Sequence, residues 1–465
     1  ISLLRGSATA SYQVEGAVRE GGRGATVWDS FTHIPGKIDN GDNGDVADDV
    51  YHRFDEDMGL ITDMGINAYR FSIAWSRILP SGEGIQANED GVRYYNSVID
   101  RLLAAEVVPV VTLFHWDTPL ALEEQYGGWL SEQMETHFSN YADICFRLFG
   151  DRVKHWITIN EPMSVAINGY SAGIHAPGRC SSCSTGDSST EPYLVSHNML
   201  NAHAAVVALY RSKYQNDQGG VIGITLNSDF AYPLNGSSVE DQQAAQRNIE
   251  FQAGWYADPV FFGHYPESMV QRVGDRLPKF TLQQRERIKG SYDFYGLNHY
   301  TSKYASNNPI SGTPSSGWSD DQGTVITNTG LDGKLIGPQA ASDWLNVVPT
   351  GMYDIMAWIS ERYDNPYILI TENGVDVPDE TSTEMALHDS FRIDYYTGYL
   401  GSVRRAMDDG INVVGYFAWS LMDNFEWNNG YGCRFGLTFV DYDNNLSRSE
   451  KDSSRWYADY IKQHP

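Results

Sequence analysis

Short apolar runs that end in an amide, a carboxylate or an aromatic residue recur along the chain, and stretches with apolar residues at helical spacing separate most of them. The clearest is Tyr367-Ile-Leu-Ile-Thr-Glu-Asn-Gly374, where a β-branched run stops abruptly at Glu372. It reads as a buried strand that delivers a carboxylate to an exposed edge, with Gly374 turning the chain away. His155-Trp-Ile-Thr-Ile-Asn-Glu-Pro162 repeats the design, with Asn160 and Glu161 at its end and Pro162 stopping it. Six more runs read as strands: 7–13 ending at Gln13, 68–77, 107–116 ending in His115 and Trp116, 220–227 ending in Asn227, 294–300 ending in Asn298 and Tyr300, and 413–423 containing Trp419. Arg70 lies inside the second of these and, if buried there, needs a carboxylate partner. Helical periodicity covers 51–64, 90–106, 134–149, 195–214, 241–255, 351–363 and 389–408.

Eight strands alternating with helices predict an α/β fold, a parallel sheet closed into a (β/α)8 TIM barrel with extended βα loops. Length alone suggests two or three domains, but barrels of this class run long, so one catalytic domain over residues 1–465 is expected. An open doubly wound sheet is the alternative, and no Gly-rich phosphate motif follows any of the strands. In a barrel the C-terminal strand ends face one mouth. That would gather Gln13, His115, Trp116, Asn160, Glu161, Asn298, Tyr300, Glu372 and Trp419 around one pocket. Residues 302–349, rich in Gly, Ser, Asn and Pro, are too long for a plain connection and read as a functional loop or a small hairpin insertion.

Charge narrows the partners. With 33 basic and 60 acidic residues the formal charge is −27, which disfavours nucleic acid, an anionic membrane surface and, more weakly, a phosphorylated substrate. Aromatics make up 13% of the chain, including 12 Trp and 29 Tyr, enough for flat apolar faces beyond the core. No apolar run approaches ~18–20 residues, so neither a membrane span nor a signal peptide is read, and the compartment, cytoplasmic or secreted, stays open. Cys145 reads as a buried helix thiol. Cys180 and Cys183 form a C-x-x-C in a Ser-rich loop, readable as a local disulfide or as two free thiols. Asn235 and Asn445 open glycosylation sequons. The acidic loop 39–49 invites a calcium reading, but the EF-hand spacing is not met, and a solvated turn leading into a helix N-terminus fits better.

The expected pocket holds two carboxylates, amides, neutral donors and indoles. Taken singly, Asn160-Glu161-Pro162 is a turn with a capping acid, His115 a core histidine and Trp419 core packing; together on strand ends they point to a site. Such a set suits hydrolysis of an acetal between sugars, in which one carboxylic acid protonates the leaving oxygen while a carboxylate attacks carbon or activates water. The two roles need different pKa values, and Arg70 with Tyr300 would hold Glu372 ionised. A metal-dependent barrel hydrolase is the rival, but a single His among the strand ends argues against it, and no cofactor or metal is expected.

The motifs together resemble glycoside hydrolase family 1, the β-glucosidase family, over nearly the whole length. Thr158-Ile-Asn-Glu-Pro162 is similar to the family's acid/base motif and Ile370-Thr-Glu-Asn-Gly374 to its nucleophile motif. Ala10-Ser-Tyr-Gln-Val-Glu-Gly16, residues 69–77, Phe114-His-Trp-Asp117, Gly296-Leu-Asn-His-Tyr300 and residues 418–427 match in order. The resemblance implies a retaining double displacement with Glu372 as nucleophile and Glu161 as acid, then base. It implies that Gln13, His115, Asn160, Glu426 and Trp427 bind sugar hydroxyls, that Trp419 stacks on the ring, and that Asn298 and Tyr300 flank the reaction centre. Asn227 and Trp344 would line the leaving-group side. Glu426-Trp427 favours an unphosphorylated sugar, and the presence of Glu161 sets the chain apart from thioglucosidases. The implied substrate is a β-glucoside such as cellobiose, with β-galactosides, β-fucosides and transglycosylation as side activities. A sugar-binding protein that has lost catalysis is the alternative, and both glutamates speak against it. Two departures stand out: Arg5 occupies the family's Trp position near the start, and Arg448-Ser-Glu-Lys451 replaces Arg-x-Pro-Lys near the end.

Overall fold

The computed structural model describes residues 3–309, 315–378, 380 and 382–464. Eight parallel strands close into a barrel: β1 (Leu4–Ala8), β2 (Ala68–Ser72), β3 (Val108–Phe114), β4 (His155–Asn160), β5 (Val221–Asn227), β6 (Phe294–Asn298), β7 (Ile368–Asn373) and β8 (Val413–Trp419). Each pairs with its neighbours in sequence and β8 pairs with β1, so no edge is left open. The expected (β/α)8 TIM barrel is therefore what forms. The strands are buried almost throughout because helices cover the barrel from outside. The predicted helix 134–149 matches Met134–Phe149, whose buried face includes Phe138, Tyr141 and Cys145.

Five predicted strands are too long at their C-terminal ends, 107–116 and 294–300 by two residues and three others by more. The first stops at Ala8, and Gln13 sits instead on a helical turn, Ser11–Val14. There the backbone N–H of Ser11 donates to Ser72 Oγ at 2.7 Å, drawing the chain out of the sheet. The second ends at Ser72 and turns helical over Trp75–Ile78, and the last ends at Trp419. The helix predicted over 241–255 runs further, through a π-helical turn at Glu250–Gly254 into Trp255–Phe262. Residues 302–349 contribute Ser302–Asn307 and Thr324–Thr327, an antiparallel pair joined by Phe230–Pro233 into a small sheet beside the barrel mouth. Part of that segment, 310–314, lies outside the described residues.

The acidic loop 39–49 is less solvated than predicted. Asp48 is fully buried and accepts from Tyr442 Oη at 2.8 Å, while Asp42 accepts from the Tyr431 backbone N–H at 3.1 Å. The loop thus docks on the segment after β8. Arg5 and Arg448 find partners of their own: Arg5 donates to the His464 carbonyl, and Arg448 pairs with buried Asp57 at 2.8 Å. Cys180 and Cys183 are disulfide-bonded.

Candidate active site

The barrel mouth opens into a cavity of about 710 Å³. Gln13, His115, Trp116, Asn160, Glu161, Asn227, Asn298, Tyr300, Trp344, Glu372, Trp419, Glu426 and Trp427 all line it. Arg70 lies beneath it, fully buried on β2. Thus even Gln13, which leaves its predicted strand, reaches the predicted place. Register explains the convergence: Asn298 on β6 stands level with Asn227 on one side and Glu372 on the other.

The two strands that carry carboxylates lose regular register near their ends, after Ile157 on β4 and after Ile370 on β7. Such irregularities re-aim side chains toward a site. Glu161 follows β4 directly in a left-handed conformation, φ 48°, and Trp116 (φ 78°) and Trp427 (φ 50°) share that sign. For non-glycine residues this costs about 1–3 kcal/mol each and persists only where packing enforces it. Gly374 follows β7 for a spatial reason rather than for a turn: a Cβ there would lie 1.9 Å from the Trp419 carbonyl oxygen.

Glu372 is 4% exposed. Arg70 Nη1 donates to its Oε1 at 2.7 Å and Tyr300 Oη to its Oε2 at 2.6 Å. Arg70 is held in turn by Thr112 Oγ1, Asn160 Oδ1 and the Thr371 carbonyl. Tyr300 is fixed through its carbonyl, which accepts from Tyr395 and Tyr399 Oη at 2.7 and 2.8 Å. Both oxygens of Glu372 therefore accept from fixed donors, one of them a cation.

Glu161 has different company. Asn298 Nδ2 donates to its Oε1 at 2.7 Å and Ser164 Oγ to its Oε2 at 2.5 Å, and it forms no ion pair among the described residues. Burial, and then the charge of Glu372, push its carboxyl up to about 7. Ser164 was invisible to sequence reasoning, yet its place three residues after Glu161, in the first turn of helix Pro162–Tyr170, is the spacing that brings two side chains together.

Deeper in the cavity, three buried polar atoms lack any partner among the described residues: Gln13 Oε1, Glu426 Oε2 and His115 Nδ1. Gln13 Nε2 is anchored on Asn424 Oδ1 and the Phe425 carbonyl, which presents Oε1 inward. Asn424 was not singled out from sequence. Burial and the Arg70 charge lower the His115 pKa well below the usual range, keeping the ring neutral. Asn160 Nδ2 then donates to His115 Nε2 at 3.1 Å, leaving Nδ1–H as the free donor. Two free acceptors and one free donor around indole faces match a neutral polyol ring. Trp419 and Trp427 flank the His115 ring at 6.1 and 6.0 Å, near-parallel to it. Trp344, 43% exposed, stands at the lip edge-on to Tyr300.

A sequence profile of glycosyl hydrolase family 1 matches residues 2–465. The chain is 51% identical to rice (Oryza sativa subsp. japonica) beta-glucosidase 24 over 98% of its own length and 92% of that protein's. Among solved structures, a rice β-glucosidase superposes with TM-score 0.96 at 51% identity, covering 98% of this chain and 97% of that one. The β-glucosidase of the fungus Humicola insolens in complex with glucose also gives 0.96, at 44% identity over 99% and 98% of the two chains. Agreement of this extent, joined to the motif pair on β4 and β7, leaves a single assignment: the chain belongs to glycosyl hydrolase family 1 and is a glycoside hydrolase.

Proposed function

We propose that the enzyme is a retaining β-glucosidase, acting on unphosphorylated short β-glucosides such as cellobiose. The observation that carries this reading is the contrast between its two carboxylates. Glu161 is desolvated and holds its proton up to about 7, whereas Glu372 is embraced by Arg70 and Tyr300. The first is suited to be an acid and the second a nucleophile. Glu161 gives its proton to the glycosidic oxygen as Glu372 attacks the anomeric carbon, releasing the alcohol and forming a glycosyl ester. Water then attacks that carbon, gives a proton back to Glu161 and frees Glu372, so the anomeric configuration is retained. Gln13 Oε1, Glu426 Oε2 and His115 Nδ1–H would bind the sugar hydroxyls. The name shared by the rice and fungal relatives supports the β-glucoside as substrate class. The test is a 2-deoxy-2-fluoro-β-glucoside with a good leaving group, followed by peptide mass mapping. A label on Glu372 is expected; a label elsewhere, or product of inverted configuration, sinks the mechanism.

Two further outcomes follow. Because Glu161 must be protonated for the first step, kcat/KM should hold up to pH about 7 and then fall about tenfold per pH unit. A profile measured with a poor leaving group checks this, and Glu161→Gln should remove that alkaline limb. Tyr300→Phe deletes one charge-assisted bond to the nucleophile, worth about 1.5–3 kcal/mol, so kcat should fall roughly 10- to 150-fold. Steady-state kinetics on an aryl β-glucoside reads it.

A further inference from the structure

The cavity wall that follows β5 is formed by Asn227 and Asp229, backed by Gln252 and flanked by Trp318 and Ser164. The donor atoms of these side chains each have a partner. Gln252 Nε2 donates to Asn248 Oδ1 at 2.6 Å, and Trp318 Nε1 to the Phe251 carbonyl at 3.0 Å. Ser164 gives its one proton to Glu161, so it accepts from Asn227 Nδ2 at 3.2 Å, and this fixes which way the Asn227 amide points. Two acceptor groups stay without a partner. Asn227 Oδ1 is buried without a partner, and the hydrogen bonds of Asp229 run through its backbone, leaving the carboxylate without a hydrogen bond or ion pair among the described residues. Lys303 lies near enough to act on Asp229 by its charge, but its ammonium donates to Asn346 Oδ1 at 3.0 Å, and it does not line the cavity. Neither lysine nor arginine lines the cavity among the described residues.

We propose that Asn227 and Asp229 form an acceptor-rich wall of the leaving-group subsite, selecting leaving groups that present hydroxyl or ammonium donors and rejecting anionic ones. The proposal rests on the β-glucosidase reading, which places the departing alcohol on this side of Glu161. A carboxylate with no donor of its own gains a charge-assisted bond when the leaving group brings one. An apolar leaving group leaves both acceptors desolvated and unpaired, and an anionic one adds like-charge repulsion.

The experiment uses phenyl β-glucosides that carry CH2NH3+, CH2OH, CH3 or CH2COO− at the meta or para position. The methylene keeps ring electronics close, so kcat/KM differences report the wall. At one of the two positions, wild type should prefer the ammonium over the carboxylate substrate by at least tenfold, with the hydroxymethyl compound ahead of the methyl one. Asp229→Asn should shrink the ammonium-to-carboxylate ratio to under threefold. Because the catalytic carboxylates also attract cations, a ratio that persists in Asp229→Asn overturns the proposal. So does a wild-type ratio near one at both positions, whether or not the variant folds. If wild type hydrolyses none of the four compounds, calorimetric titration of them into it still reads the order. Absence of hydrolysis with that order intact sinks the β-glucosidase reading and keeps the wall, whereas hydrolysis without the order does the reverse.

Discussion

Replacing Glu372 by Gln should lower kcat on every β-glucoside by about four orders of magnitude or more, activated aryl substrates included, and should also destabilise the fold. The first effect follows because no leaving group, however good, can compensate for a missing nucleophile. The second follows from Arg70. Its guanidinium is fully buried, with Glu372 as its anionic partner at 2.7 Å, and its other acceptors, Thr112, Asn160 and the Thr371 carbonyl, are neutral. Gln keeps an oxygen for Arg70 Nη1 but not the charge, and removing one member of a buried ion pair costs about 3–5 kcal/mol. The residual amide bond puts the expected loss near the lower end, about 3 kcal/mol, read as a lower denaturation midpoint. An active Glu372→Gln enzyme would refute the nucleophile. A variant as stable as wild type would show that Arg70 is satisfied by its neutral partners.

Much of this site is legible in the sequence. An apolar run that stops at an amide, a carboxylate or an aromatic residue marks a buried strand with a functional tip, and eight strands alternating with helices specify a barrel whose tips must meet. The misreadings share a physical origin. Residues 7–13 have the composition of a strand, but hydrogen bonding of Ser11 to Ser72 draws the chain into a helical turn at Gln13, and periodicity does not register a contact across 61 positions. An acidic loop such as the one holding Asp48 is usually solvated, yet Tyr442 and Arg448 cover it from nearly 400 residues away. Ser164, Asn424 and Asp229 went unnoticed for a related reason: each acts through a neighbour or a cavity wall, and only the assembled barrel shows what that neighbour lacks. Motif residues carry their chemistry in their type. Supporting residues carry it in their position.

Glu161 should behave as the mirror image of Glu372, and that contrast is the stronger test of the division of roles. Glu161→Ala should lower kcat/KM on cellobiose by about 10²–10⁴, the usual contribution of a general acid, but by less than about tenfold on dinitrophenyl β-glucoside, whose leaving group needs no proton. On the activated substrate the second step, which needs Glu161 as base, becomes limiting, so a glycosyl-enzyme should accumulate and azide, a nucleophile needing no base, should restore turnover. Equal losses on both substrates would deny Glu161 the acid role. Stability should move the other way from Glu372→Gln. Burial and the neighbouring Glu372 charge raise the Glu161 carboxyl from 4.5 to about 7, so the folded state keeps a proton that the unfolded chain releases between those values. The stability associated with that proton is fully present below pH 4.5 and is lost as pH rises through 7. Glu161→Gln carries no such group, so its stability relative to wild type should rise across that window by on the order of 3 kcal/mol and level off above pH about 7. Denaturant titrations at pH 4.5 and 8 measure the difference. A flat relative stability would mean that Glu161 is ionised as readily in the fold as outside it, and the acid would then have to be sought elsewhere in the cavity.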